Sequence, residues 1–355
     1  MFKFQDLPKP FFVLAPMDDV TDTVFRQVVA DCAAPDLYFT EFVNVDGLHS
    51  PGRPKLLKKL RFMPTERSLI AQIWGKNPDN FYKTAQQIAD GTFARELGLP
   101  EGINFAGVDL NMGCPEKNAV RSGTCSALMN DRELASEIIT ATQKGLASVR
   151  TTHDGQTGDD DPDDPDDPTD LMPVSVKTRL GFIQPDLTWI EFLLGHHLQA
   201  LTVHGRTKVQ MSKVPADWDL IGQARELRDK LAPDTLIIGN GDVLSRQQGL
   251  DLAQKYQLDG IMIGRGIFHD PFVFAKSDHN PWPSYTEIQR RALYAKHIQL
   301  FAQTWQNREH PIQTLNKFCK IYINNFDGAV KLREELMAAN STDQLLELLD
   351  QPPQG

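Results

Sequence analysis

Residues 236–266 read LIIGNGDVLSRQQGLDLAQKYQLDGIMIGRG. An aliphatic run, Leu236–Gly239, leads into a Gly-Asn-Gly-Asp link. Ser245 then stands where a helix N-cap belongs, a helical stretch runs to Tyr256, and a second aliphatic run, Gly260–Ile263, ends on Gly-Arg-Gly. Runs this apolar suit strands covered on both faces, as parallel strands are, and the helix between them makes a βαβ crossover. Working outward, the same unit recurs. Further strand-like runs stand at Phe11–Ala15, Leu37–Glu41, Leu69–Ile73, Gly107–Asn111, Val174–Thr178 and Ala200–His204. Helices are predicted over Asp22–Cys32, Asn77–Asp90 and Asp131–Ser148 as well as Ser245–Tyr256, with Asp22, Asn77, Asp131 and Ser245 as N-caps or first-turn residues. Eight βα units in about 270 residues predict the α/β class and a (β/α)8 TIM barrel, with an open doubly wound sheet as the rival.

The strand ends favour the barrel. They read Ala15-Pro16-Met17-Asp18, Glu41-Phe42-Val43-Asn44, Gln72, Asn111-Met112-Gly113-Cys114, Lys177-Thr178-Arg179, His204-Gly205-Arg206, Asn240-Gly241-Asp242 and Gly264-Arg265-Gly266. Barrel enzymes assemble their sites at this C-terminal end of the sheet, and the loops after the last two strands often hold a phosphate. GNGD and GRG put exposed backbone N–H groups there, with Arg265 adding charge, so a phosphate-bearing cofactor or substrate is expected.

After residue 283 no strand-like run remains, and helices are predicted over Tyr285–Gln306, Ile312–Phe326, Gly328–Asn340 and Thr342–Leu349. The chain is therefore expected to divide into a catalytic barrel, 1–283, and an all-helical C-terminal domain, 284–355. No apolar run is long enough to span a bilayer, and the first ten residues lack the features of a secretory signal, so a cytoplasmic address and no membrane partner are expected. The four cysteines, Cys32, Cys114, Cys125 and Cys319, are scattered, without a C-x-x-C pair, and read as reduced thiols. His196 and His197 are adjacent, not one helical turn apart, so they make no metal pair, and no metal is expected.

The net charge of −10 argues at first against a polyanionic partner. Residues 154–170, DGQTGDDDPDDPDDPTD, carry nine aspartates and no lysine or arginine, which leaves −10 + 9 = −1 for the rest of the chain. Like charges and too few apolar groups make this a disordered insertion, at about 150–171. Its prolines and its lack of the EF-hand glycine and glutamate argue against calcium. Two segments are basic instead. Gly52–Phe62 holds Arg53, Lys55, Lys58, Lys59 and Arg61 on the rim of the site. The helical tail, between Ser284 and Asn340, carries eight Lys/Arg (Arg290, Arg291, Lys296, Arg308, Lys317, Lys320, Lys331, Arg333) against five Asp/Glu, interleaved with Tyr285, Tyr294, Trp305 and Tyr322. The tail reads equally as an RNA surface or as ordinary solvated helix faces around an aromatic core; the basic rim points to a polyanionic substrate.

Read in order, APMDDVTD (15–22), TEF (40–42), AQIWG (71–75), GVDLNMGCPEKNAVRSG (107–123), VSVKTRLG (174–181), LTVHGRT (201–207), GNGD (239–242) and DGIMIGRG (259–266) resemble the tRNA-dihydrouridine synthase family, bacterial type. The resemblance implies an FMN enzyme that reduces the C5–C6 double bond of specific tRNA uridines, with NADPH as reductant and the tail binding tRNA. It further implies Cys114 as the acid protonating C5 after hydride reaches C6. By the same resemblance Asn111 and Arg179 face the uracil, and Pro16, Met17, Asp18, Gln72, Lys177 and His204 contact the flavin. Asn240, Gly241, Asp242, Gly264 and Arg265 hold its phosphate. The pattern departs from the family at Asp19, where glycine is common, and at Thr124-Cys125-Ser126, where the family is richer in glycine. Cys32, Cys125 and Cys319 read as packing residues, and Asp109 as one that orients its neighbours. An FMN barrel acting on a small molecule is the alternative. Neither the uridine modified nor the oligomeric state is legible, and a monomer is compatible with the sequence.

Overall fold

The computed structural model describes residues 2–149, 171–276, 280–306 and 309–352. The acidic segment 154–170 and Arg308 lie outside them. Among the described residues, nine parallel strands form one sheet: β1 Phe11–Leu14, β2 Leu37–Phe39, β3 Val43–Asn44, β4 Leu69–Trp74, β5 Gly107–Met112, β6 Val174–Gly181, β7 Ala200–Thr207, β8 Leu236–Asn240 and β9 Gly260–Ile263. β2 pairs with both β1 and β4, and β1 pairs with β9, so eight strands close into a ring, with β3 a two-residue addition to β4. This is the (β/α)8 barrel, and closure excludes the open doubly wound sheet. All eight predicted strands are present.

Helices alternate with the strands: α1 Thr23–Ala33, α2 Pro78–Ala89, α3 Arg132–Ala147, α4 Leu187–Leu194, α5 Trp218–Leu231 and α6 Arg246–Tyr256. The four expected caps form. Asp22 accepts from the Phe25 N–H, Asn77 from Asp79, Asp131 from Leu134 and Ser245 from Gln248, each satisfying an N–H that the helix leaves unpaired.

Strand alternation separates two cores. Phe12 and Leu14 face outward into the sheet–helix layer, while Phe11, Val13 and Ala15 face inward with Leu37, Phe39, Ile70, Ile238 and Met262. Phe4, on a short N-terminal helical turn, closes the bottom of that inner core with no exposed surface. A Cβ on Gly260 would stand 2.6 Å from the Phe11 ring, so the glycine makes room for the aromatic plug. The lower barrel is thus filled, and function is confined to the upper end. The end of α3 and the start of β6, which flank the acidic segment, lie at the opposite, lower end.

Beyond β9 the chain is helical: α7 Glu287–Thr304, α8 Asn316–Tyr322, α9 Ala329–Ala338 and α10 Thr342–Asp350. A Thr286/Gln289 capping box starts α7. The aromatic residues of this tail are core. Tyr294 and Tyr322 stack at 5.0 Å between centroids, and His297 Nδ1 lies 3.0 Å from the Tyr322 hydroxyl. The apolar core continues without a break into the barrel, because Phe25 of α1 packs on Phe318 at 4.8 Å. The indole N–H of Trp305 donates to the buried Asp22 carboxylate at 3.1 Å, and Arg61 lies over the Trp305 ring. Among the described residues no helix is long and apolar enough to cross a membrane.

Two predictions follow from this seam. Trp305→Phe keeps an aromatic ring, smaller than the indole, but leaves an Asp22 oxygen unpaired, and should lower stability by about 1–3 kcal/mol in urea unfolding; an unchanged midpoint would refute the bond's contribution. Burial holds the His297 imidazole down to about 3, so the unfolded chain binds a proton that the folded one does not. Stability from this group is present above the unfolded value of about 6.5 and is lost as pH falls toward 3. His297→Gln should therefore flatten the fall in stability below pH 6.5 relative to wild type.

Candidate active site at the barrel mouth

Parallel register brings the strand ends to common levels. Asn111 pairs with Lys177 across β5 and β6; Arg179, His204, Asn240 and Met262 form one row across β6 to β9. One layer below, Gln72 pairs with Asp109. Asp109, fully buried, accepts hydrogen bonds from Gln72 Nε2 at 2.7 Å and Ser175 Oγ at 2.6 Å. Burial still raises its carboxyl to about 6, against those two bonds and the Lys177 charge.

A relay runs upward from that carboxylate. Gln72, fixed at its amide nitrogen, accepts from Asn111 Nδ2 at 3.1 Å. Asn111 Oδ1 then accepts from the N–H groups of Gly113 (3.2 Å) and Cys114 (3.0 Å). Arg179 closes the same turn from the other side, its Nε donating to the Gly113 carbonyl at 2.8 Å. Its Nη1 donates to the carbonyls of Thr207 and Met211. The Gly-Cys-Pro turn is thereby clamped between β5 and β6, and the half-buried Cys114 thiol is presented at the mouth.

The Cys114 thiol is drawn down to about 7. A hydrogen bond from the Cys125 thiol is the largest cause, opposed by burial and helped by the Glu116 N–H and the Arg179 charge. Lys177 falls to about 8, through burial and then the Arg179 charge, with Asp109 and Cys114 supporting it. No acceptor among the described residues hydrogen-bonds its ammonium. His204 lies 3.1 Å from Arg206 Nη1, which can only donate, so His204 Nε2 accepts and Nδ1 carries the proton. Burial, with the charges of Lys177, Arg179, Arg206 and Arg265, keeps that imidazole neutral.

At the β8 and β9 ends, Asn240 Nδ2 donates to the Met262 carbonyl at 2.9 Å. Gly241 adopts φ 134°, and a Cβ there would stand 2.6 Å from Ala216. Asp242 accepts from Arg206 Nη2, from the Ala216 N–H at 2.9 Å and from Arg265 at 3.2 Å. Arg206 itself is buried, its Nε donating to the Val214 carbonyl. A Cβ on Gly264 would find only Ala15 at 3.5 Å and Met17 Sδ at 3.9 Å, so Met17 borders this glycine across β1 and β9, next to Pro16.

Most of the sequence-predicted residues therefore converge: Pro16, Met17, Asn111, Cys114, Lys177, Arg179, His204, Asn240, Gly241, Asp242, Gly264 and Arg265 ring the mouth. Two differ in placement. Gln72 has no exposed surface and lies beneath the floor as a link in the relay. Asp18 stands exposed on the rim, ion-paired with Lys59. The carboxylate oxygens of Asp18, Asp19 and Glu41 lie within 4.8 Å of one another, and Lys59 supplies their counter-charge.

The basic rim is also committed inward. Arg53 pairs with Glu96 at 2.8 Å and lies over Phe93; Lys58 donates to the Glu309 carbonyl; Arg61 binds the Thr304 carbonyl and the Glu309 carboxylate. Lys55 alone of the five has no partner among the described residues. In the tail, Arg290 is buried on Trp282, Arg291 pairs with Glu287, Lys296 with Asp31, and Lys317 donates to the Asp19 carbonyl. Lys58, Arg61, Lys296 and Lys317 fasten the tail to the barrel. Arg206 and Cys125 were not among the expected site residues. Their signals were the i+2 spacing from His204 and a second thiol eleven residues after Cys114.

The family model for dihydrouridine synthase matches residues 13–354. The chain belongs to the dihydrouridine synthase family. Curated relatives agree over nearly the full length. A probable tRNA-dihydrouridine synthase of Staphylococcus aureus (strain COL) is 38% identical over 351 residues, 98% of this chain and 94% of the relative. Probable tRNA-dihydrouridine synthase 2 of Bacillus subtilis (strain 168) is 39% identical over 350 residues, 98% and 95% of the two chains. Among solved structures, histamine dehydrogenase from Rhizobium sp. 4-9 aligns over 81% of this chain and 48% of its own, at 12% identity and a TM-score of 0.48, too weak a likeness to add to fold or function.

For this dihydrouridine synthase family member the thiol is the group most open to direct measurement. Iodoacetamide alkylation at Cys114, followed by mass spectrometry across pH, should show a midpoint near 7, whereas an unperturbed thiol titrates near ~8.5. A midpoint at the unperturbed value would show that the turn does not activate the sulfur.

Proposed function

We propose that the protein reduces the C5–C6 double bond of specific uridines in tRNA to dihydrouridine, with FMN as cofactor and NADPH as reductant. The observation that carries this reading is the Cys114 turn, held by Asn111 and Arg179 beside an ammonium that no acceptor among the described residues engages. The donor set suits FMN. Lys177 offers an unshared cation, His204 a neutral ring with Nδ1–H available, and Gly264 an open approach beside Met17. When bound, FMN supplies the hydride that reaches C6 of the uracil.

The chain's residues do the rest. Cys114 hands its Sγ proton to C5, a transfer suited to a thiol titrating near working pH. Asn111 and Arg179 hold the thiol's turn and orient the uracil with the donors they have left, Asn111 Nδ2 and Arg179 Nη2. Lys177 would supply positive charge to the bound cofactor, Pro16, Met17 and His204 would border it, and Gln72 acts on the site through Asn111. Asn240, Gly241, Gly264 and Arg265 would hold the phosphate; Asp242, whose own charge would repel an anion, pairs with Arg206 and Arg265 and would act by positioning them. Residues 1–283 form the catalytic unit and 284–355 the tRNA-binding one, in a cytoplasmic enzyme.

The test is a spectrum and an assay. The purified protein should carry a flavin absorption band, and Cys114→Ala should retain it while tRNA uridine reduction falls about 10²–10⁴-fold, the usual contribution of a general acid. Full activity in that variant would remove the acid role. Unchanged dihydrouridine at every tRNA position in a deletion strain would reject tRNA as substrate and leave a small-molecule flavin reductase.

A further inference from the structure

Thr202 of β7 has no exposed surface, and its hydroxyl finds no hydrogen-bond partner among the described residues. Two other buried hydroxyls share that state, Tyr38 and Ser126, but Tyr38 belongs to the outer sheet–helix layer and Ser126 lies on no strand, in the 3-10 segment Cys125–Asn130. Thr202 faces the barrel interior. Ala200, two residues before it, belongs to the inner core, while Leu201 and Val203 on either side of it belong to the outer one. His204, two residues after it and on the same side of the strand, borders the mouth. The unmet hydroxyl thus stands one step below the mouth, on the inward wall.

Its neighbours in the ladder fix what it can meet. Thr202 pairs with Lys177 on β6 and with Ile238 on β8, strands about 4.8 Å away on either side. Ile238 is an apolar residue of the inner core. Lys177 faces inward, two residues beyond Ser175, whose hydroxyl reaches Asp109 in the interior. Its ammonium, like the Thr202 hydroxyl, has no acceptor among the described residues. Two unmet polar groups therefore stand side by side in the wall of one site. A buried hydroxyl left unmet is destabilising, and a valine of the same shape would avoid that cost. The hydroxyl is accounted for if something bound in the mouth meets it. An ammonium only donates and a hydroxyl can donate, so an occupant that brings acceptor atoms satisfies both.

We propose that Thr202 is a further cofactor-binding residue: its hydroxyl donates, beside the Lys177 ammonium, to acceptor atoms of the isoalloxazine ring of FMN. The inference deepens the FMN reading above and rests on it. A flavin ring has carbonyl oxygens and ring nitrogens at its edge and apolar faces, which suits a wall made of an ammonium, a hydroxyl and Ile238.

The experiment compares wild type, Thr202→Val and Thr202→Ser as full-length proteins. Flavin affinity is read from the quenching of FMN fluorescence on rebinding, and stability from urea unfolding with the flavin removed. Valine should weaken FMN binding about 3- to 10-fold, the worth of one hydrogen bond. The same variant without flavin should unfold at the wild-type urea concentration or above it, because the unmet hydroxyl has gone. Serine, which keeps the hydroxyl, should restore most of the affinity. Unchanged FMN affinity in the valine variant would overturn the proposal and leave the hydroxyl to an ordered water. A valine variant less stable than wild type without flavin would overturn it as well, since the hydroxyl would then serve the fold. Wild-type protein that takes up no FMN would sink the cofactor reading itself, a failure visible before any substitution is made.

Discussion

The upper half of the barrel is organised by one buried carboxylate. Asp109 has no exposed surface, and among the described residues only Gln72 and Ser175 hydrogen-bond it. Such a group is tolerated only when its acceptor oxygens are met, so the geometry of Gln72 is dictated from below. An amide fixed at its nitrogen presents its oxygen in one direction; Asn111 is captured by that oxygen and in turn presents its own to the Cys114 turn. Three strands thus hand an orientation from a dry interior to a reactive thiol. A polar network of this kind holds a single arrangement because every partial rearrangement leaves a buried group unmet.

Around that axis the charges are distributed unevenly. Lys177, Arg179, Arg206 and Arg265 stand over β6 to β9, and Asp109 and Asp242 are their nearest opposing carboxylates in the network, one beneath the floor and one on the rim. Burial, joined by this imbalance, keeps His204 neutral and lowers Lys177, and the positive potential of the wall favours an anionic occupant of the mouth. Glu41 belongs to a separate cluster: burial raises it to about 7 although Lys59 opposes the shift. The rim at β1 and β2 is therefore governed by Lys59 and its carboxylates, apart from the cationic wall opposite.

The strands were legible because each is a local apolar run ending on polar residues, and the caps because Asp22, Asn77, Asp131 and Ser245 act on N–H groups two or three residues away. The ring of mouth residues was legible for the same reason, since closing a parallel barrel brings all strand ends to one face. What escaped depends on partners remote in the chain. Lys58 meets Glu309 and Arg61 meets Thr304 across some 250 residues, so a cluster that reads as a solvent-facing basic rim is in part an internal fastening. Gln72 looked like a mouth residue because its strand ends there, and its burial follows from the depth of its pairing with Asp109. The return of the chain to the Cys114 turn, where the Ser126 N–H meets the Cys114 carbonyl, was hidden because nothing in the intervening loop records that it folds back.

The join between tail and barrel bears on selectivity. Phe25 and Phe318 share one apolar core, Trp305 reaches into the cap of α1, and Lys317 of α8 grips the backbone carbonyl of Asp19, two residues beyond Met17 at the mouth. A helical tail bonded this closely to the site does not swing on a hinge. It acts as a ruler: any partner resting on α7 to α10 meets the mouth at a separation and angle set when the chain folds. Changing which part of that partner enters the mouth would then require rebuilding the α1 seam, while the chemistry of Cys114 could remain as it is.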